Sequence, residues 1–118
     1  MKPADLEKFL LALPGATLSI QWGSDRVFKV GGKMFAVTGP RESKPISLSF
    51  KASDESFRIL TELEGIIPAP YLARAQWVYL DKLTRLPAKE LKAYLTRAHA
   101  IVASGLPKKT QKQLGIAP

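Results

Sequence analysis

The chain carries a single histidine, His99, and no cysteine, so the side chains that most often build catalytic centres are nearly missing. Thiol nucleophiles, disulfide frameworks and thiolate zinc sites are excluded. One imidazole supports neither a His-rich metal site nor a Ser-His-Asp triad away from its own position, and beside the apolar stripe of a helix it reads as a structural or surface residue. The carboxylates offer little more. Asp54 and Glu55, or Glu62 and Glu64, stand at neighbouring helical positions and point in different directions. They suit a helix dipole or a solvated face better than a general acid and base. Ser, Thr and Lys occur without a nucleophile motif around them. Gly31-Gly32-Lys33 lacks the spaced glycines, the Lys-Ser/Thr pair and the helix of a phosphate loop, and two strand-like runs flank it, so it reads as a hairpin tip. These residues argue for a protein that is not an enzyme and needs no metal or cofactor.

Cations and aromatic rings remain, and they suit polyanions. Arg26, Lys29 and Lys33 flank the hairpin tip, and a basic β-ribbon fits a DNA groove; exposed strands also carry lysine to discourage aggregation. Trp22, Tyr71 and Trp77 lie near strand ends or in a proline-rich segment, with Lys51 and Arg74 alongside. Aromatic faces beside such charges stack bases while the cations hold phosphates. Trp77, inside the apolar run Trp77-Val78-Tyr79-Leu80, fits a core better, and Tyr71 is the candidate for exposure. Lys108, Lys109 and Lys112 form a basic C-terminal tail over 106–118 that either neutralises phosphates or is a loose charged terminus.

The 118 residues fit one domain, and 46% hydrophobic with 24% charged residues is a globular composition. The formal charge of +8 is uneven: residues 1–67 carry a net +1 and residues 68–118 a net +7. Such a balance favours polyanionic partners or simply keeps a protein in solution. No apolar run approaches the length of a membrane span or a signal-peptide core, so a cytoplasmic location is expected and no membrane partner.

Periodicity supplies the elements that must position these groups. Leu6, Phe9, Leu10 and Leu13 predict a first helix stopped by Pro14-Gly15. Alternation predicts strands through Leu18–Trp22, Val27–Val30, Lys33–Val37 and Ile46–Phe50. Ser53 is the expected N-cap of a second helix running to Leu63, and Ile66–Gln76 is expected to be irregular around Pro68 and Pro70. A fifth strand at Trp77–Leu80 and a long helix from Pro87 to Gly105 complete the order helix, four strands, helix, strand, helix. This is an α+β two-layer sandwich, an antiparallel sheet with helices mainly on one face and the other face partly open.

In that order, the segments Leu13-Pro14-Gly15-Ala16, Trp22-Gly23, Val27–Ala36, Ser49-Phe50-Lys51, Pro68–Arg74 with Trp77-Val78, and Leu106–Thr110 make the chain similar to the MmcQ/YjbR-like family over nearly its whole length. The resemblance implies a YjbR-like α/β fold with an antiparallel sheet, described as a double-wing DNA-binding motif. Many members of that family carry a His and a Lys-Lys pair before the late tryptophan; here Arg74 is the only charge in 71–76. Two functions follow as expectations. The first is DNA binding, mainly to phosphates and with little sequence preference, through Arg26, Lys29, Lys33, Lys51, Tyr71, Arg74, Lys108, Lys109 and Lys112. The second is a protein-interaction or chaperone-like role: Met34-Phe35-Ala36-Val37 is apolar on both sides, so a homodimer or another protein covers the open sheet face. No small-molecule substrate is evident.

Overall fold

The structure, a computed structural model, describes residues 1–116. Helix α1 (Pro3–Leu11) leads through the Pro14-Gly15 turn into strands β1 (Ala16–Gln21), β2 (Asp25–Val30), β3 (Lys33–Thr38) and β4 (Leu48–Lys51). Helix α2 (Asp54–Leu60) follows, then β5 (Ile66–Pro68), β6 (Trp77–Leu80), the long helix α3 (Ala88–Ser104) and a short helix α4 (Lys108–Gln113). All six strands form one antiparallel sheet in the order β1-β2-β3-β4-β6-β5.

Local chemistry accounts for most of these boundaries. Ser53 caps α2 as its residue type predicts, its hydroxyl accepting the Ser56 amide at 3.1 Å. Gly31 and Gly32 take φ of 59° and 81°, the left-handed pair that a two-residue primed turn requires, and Val30 pairs with Lys33 across it. Helix α2 ends at Leu60, before Leu63, and a turn carries the chain to Gly65.

One face of the sheet carries the main core. Cross-strand partners share a face, so Phe28, Phe50, Val78, Leu48 and Leu80 project together towards Leu6, Leu10, Leu60, Leu91, Leu95 and Ala98 of the helices. The β2–β3 pairing slips by one residue after Phe28. This bulge lets the adjacent residues Phe35 and Ala36 both join the core. His99 is buried in the same layer: its Nε2 lies 2.7 Å from the Pro14 carbonyl, to which it donates, and its ring meets Phe35 edge-on. It is a structural histidine tying α3 to the α1–β1 turn.

Two stretches differ from the sequence expectation. Ile66–Pro68, expected to be irregular, pairs with β6 as an edge strand, a place that tolerates Pro68 because its missing amide faces no ladder partner. The supposed tail is structured as far as Ile116, with residues 117–118 outside the described residues. Leu106 is buried, Leu114 and Ile116 pack on the core, and Gln111 donates to the Leu106 carbonyl at 2.8 Å. These apolar residues flank the lysines on either side and anchor both ends of α4, whose own buried residue is Gln111.

The hairpin turn rests on that segment. A Cβ added to Gly31 would lie 2.6 Å from Leu106 Cδ1, whereas one added to Gly32 meets nothing within 4 Å. Both positions charge an alanine about 1–2 kcal/mol for left-handed backbone, but only Gly31→Ala also overpacks a buried leucine, for a total of about 2–4 kcal/mol. Urea denaturation should therefore show Gly31→Ala well below Gly32→Ala in stability; equal losses would contradict this packing.

Candidate functional site

The face of the sheet away from the helices also carries apolar residues. By register, Thr17, Lys29 and Met34 lie across one row of it, with Lys51 and its partner Trp77 beyond β3 at the same level. The next row holds Ser19, Val27, Val37, Ser49, Tyr79 and Ile67, and Asp25 follows at the far end. Val27 is wholly buried and Trp77 is 4% exposed, yet neither belongs to the main core. Trp77 is thus buried as its sequence context predicts, but on the outer face. That face is not simply open.

The covering comes from residues 69–76, which the sequence marks only as proline-rich. The Ala69 amide donates to the Trp77 carbonyl at 2.9 Å and the Trp77 amide to Leu72 at 3.2 Å, while the Ala52 amide donates to Gln76 at 3.0 Å. A 3-10 turn at Ala73–Ala75 forms the bend, and Lys51 Nζ donates to the Ala75 carbonyl. Tyr71 and Gln76 hold φ of 66° and 60°. Left-handed backbone is costly for such residues and marks a segment held in place by its surroundings.

Across from this loop, the β1–β2 turn presents Trp22, also left-handed at φ 50° and 65% exposed. Tyr71 is fully exposed. Between them lies a cleft of about 380 Å³, floored by Met34, Val37 and Ser49 and walled by Trp22, Asp25, Ala69, Pro70, Tyr71 and Leu72. Its lining is apolar but for Ser49 and one carboxylate, Asp25; by register Lys29 and Lys51 stand in the row of Met34 on the same face, outside the lining.

The basic residues singled out by the sequence divide into three groups. Lys29 and Lys51 share the outer face, although the Lys51 ammonium is engaged by Ala75, and Arg74 lies in the 3-10 turn of the covering loop. Lys33 lies at the hairpin tip, at the end of the sheet where Gly31 meets Leu106, the residue leading into α4 with its exposed Lys108, Lys109 and Lys112. Arg26 stands apart. Its register sets it on the helix side of the sheet, where Glu7 holds it through two hydrogen bonds of 2.7 and 3.1 Å and also reaches Arg41 at 3.1 Å. The β2–β3 hairpin is paired on both sides, by β1 and β4, so it is not a free ribbon that could enter a groove.

The sequence marks Met34-Phe35-Ala36-Val37 as apolar on both sides, hence a covered outer face; it does not reveal that the chain's own loop is the cover, nor that Pro70 and Leu72 wall a cleft above Met34 and Val37. No group of three or more His, Cys, Asp or Glu residues among the described residues could hold a metal ion. The resolved carboxylate shift lies elsewhere: hydrogen bonds from Arg85 at 2.7 and 2.9 Å hold the Asp81 carboxyl below its ordinary value.

A family model for YjbR matches residues 11–101. The chain belongs to the YjbR family. A crystal structure of Deinococcus radiodurans protein DR2400, described by its domain DUF419, superposes with a TM-score of 0.85 at 27% identity, covering 97% of this chain and 88% of that one. A Pseudomonas syringae protein of known crystal structure shares the fold at a TM-score of 0.70 and 18% identity, over 86% of this chain and 99% of that one. No curated protein matches the chain. The YjbR fold expected from the sequence motifs is thus the fold observed, and no helix of the described residues is long and apolar enough to cross a membrane.

The cleft wall depends on the Lys51 clamp. Replacing Lys51 by Met removes its hydrogen bond to Ala75, lowering the local stability of the loop by about 1 kcal/mol. Limited trypsin digestion, followed by mass spectrometry, should then show cleavage after Arg74 roughly five-fold faster, since cleavage tracks the opened population. An unchanged rate would mean that the backbone bonds alone hold the loop.

Proposed function

We propose that this YjbR-family protein is a binding module, not an enzyme, that holds an unpaired DNA strand across the outer face of its sheet with little sequence preference. One observation carries the reading: two exposed aromatic rings, Trp22 and Tyr71, flank an apolar cleft, and Lys29 is the cross-strand partner of Met34 on its floor. Aromatic side chains usually bury their rings, whereas both of these are exposed and sit on left-handed backbone. Every base has a π-face, so stacking on them is tolerant of sequence, while Lys29 and Arg74 supply phosphate contacts.

Polarity gives the strand an orientation. Asp25 repels phosphate at the Trp22 end, so the sugar-phosphate backbone runs past Lys29 and Arg74 with bases turned towards the cleft. Unpaired DNA suits this surface better than a duplex, because the hairpin proposed as a wing lies inside the sheet and Arg26 is neutralised by Glu7. The helix-side lysines contribute a diffuse positive field and no site.

Fluorescence anisotropy with a labelled mixed-sequence 15-mer tests the proposal. Contact with roughly two phosphates, from Lys29 and Arg74, predicts a slope of about −1.4 for log affinity against log salt. Loss of a stacked base costs about 1–3 kcal/mol, so Trp22→Ala and Tyr71→Ala should each weaken binding about five-fold or more. Lys108→Ala with Lys109→Ala should change it little. Absence of binding at low salt, or binding indifferent to both aromatic substitutions, would overturn the proposal. Cleft-dependent capture of an apolar peptide that persists at high salt would favour the protein-interaction alternative.

A further inference from the structure

The two edges of the sheet are built differently. Strand β5 is three residues long and ends in Pro68, two features that deter further pairing. Strand β1 has neither. Its six residues, Ala16-Thr17-Leu18-Ser19-Ile20-Gln21, contain no charge, proline or glycine, and its register against β2 is unbroken. No strand among the described residues pairs with its far side. An uncharged, regular, six-residue edge is a template for another strand. Ile20, half exposed on this edge, and Leu11, exposed at the end of α1 that leads into it, add apolar surface.

We infer that β1 is a homodimer interface, pairing antiparallel with β1 of a second copy to make one continuous twelve-stranded sheet. Charge selects the place. Two copies of a +8 chain repel over most of their surfaces, and β1 offers six neutral residues, with the neighbouring Arg26 compensated by Glu7. The alternation of β1 is self-complementary. Pairing centred on Leu18 sets Ala16 against Ile20 of the other copy and Thr17 against its Ser19, so apolar residues meet on the helix side and polar ones on the outer side. A two-fold axis normal to the sheet is the symmetry that achieves this, and it keeps both helix layers on the same side. Leu11 of each copy then lies on the side of the seam where Ile20 of the other copy arrives. Both clefts open on one continuous outer face.

Sedimentation velocity on the full chain between about 10 and 100 μM, at 0.15 and 0.5 M NaCl, tests the inference; these salts leave few long-range charge effects. The expected result is a species of twice the 13.0 kDa chain mass. Lysine at Ile20 faces Ala16 of the other copy and lysine at Thr17 faces its Ser19, so each sets an unpaired ammonium against a neutral seam and should raise the dissociation constant roughly 100-fold. Both positions are exposed, so the fold should tolerate the change; unaltered circular dichroism melting identifies the variant that reports on assembly, and two substitutions keep the test decisive if one unfolds. Trp22→Ala should leave the dimer intact, which separates the edge from the cleft as the seam. A wild-type monomer throughout this range, or a dimer untouched by Ile20→Lys and Thr17→Lys, would overturn the inference, as would a dimer lost on Trp22→Ala.

Discussion

A sheet with two apolar faces needs two coverings, and this chain has helices for only one. The main core consumes α1, α2 and α3 on the side of Phe28, Phe50 and Val78. Val27 and Trp77 face the other way and are nevertheless buried. Keeping a tryptophan from water is worth on the order of 4 kcal/mol, an upper estimate from area. Loop 69–76 supplies the covering, although Tyr71 and Gln76 must adopt left-handed backbone at about 1–2 kcal/mol each to do so. Burial of Trp77 and the backbone bonds around it offset that strain. The shape of the outer face follows from this balance.

A loop covers a sheet less completely than a helix does. What it leaves is the cleft between Trp22 and Tyr71, floored by Met34 and Val37. The functional proposal therefore rests on a structural by-product: the same segment that shields Trp77 also carries the exposed Tyr71 and Arg74. Charge is distributed by the fold in a way that the arithmetic alone could not show. Much of the excess after residue 67 resides on exposed positions of α3 and α4, including Lys89, Lys92, Arg97 and Lys108, away from the cleft. The proposed cleft site draws on few of the chain's charges, Lys29 foremost.

Features governed by neighbours in sequence were legible beforehand. The Gly31-Gly32 turn, the Ser53 cap, the α3 stripe and the YjbR motifs all depend on short spacings, and each appears in the structure where expected. Features governed by distant partners were not. Ile66–Pro68 is a strand because β6 offers it an edge, not because its residues favour one. The 106–116 segment folds because Gly15 and Gly31 leave room for Leu114 and Leu106. Arg26 looked like part of a basic hairpin until the register placed it on the helix side, within reach of Glu7 nineteen residues earlier. Trp77 was legible as buried, but not the face on which it is buried.

The central claim is that the outer-face cleft, and not the hairpin tip or α4, is the binding surface. The chain has two tryptophans, one exposed at the cleft mouth and one buried beneath the loop, so their indole N–H signals are distinct internal reporters. Titrating a short unpaired DNA into the 15N-labelled protein and following amide and indole shifts measures the claim directly. The account predicts the largest changes at the Trp22 indole, at Tyr71–Gln76 and at Lys29 and Met34. Changes confined to Lys33 and Lys108–Lys112, with the Trp22 indole unmoved, would contradict it.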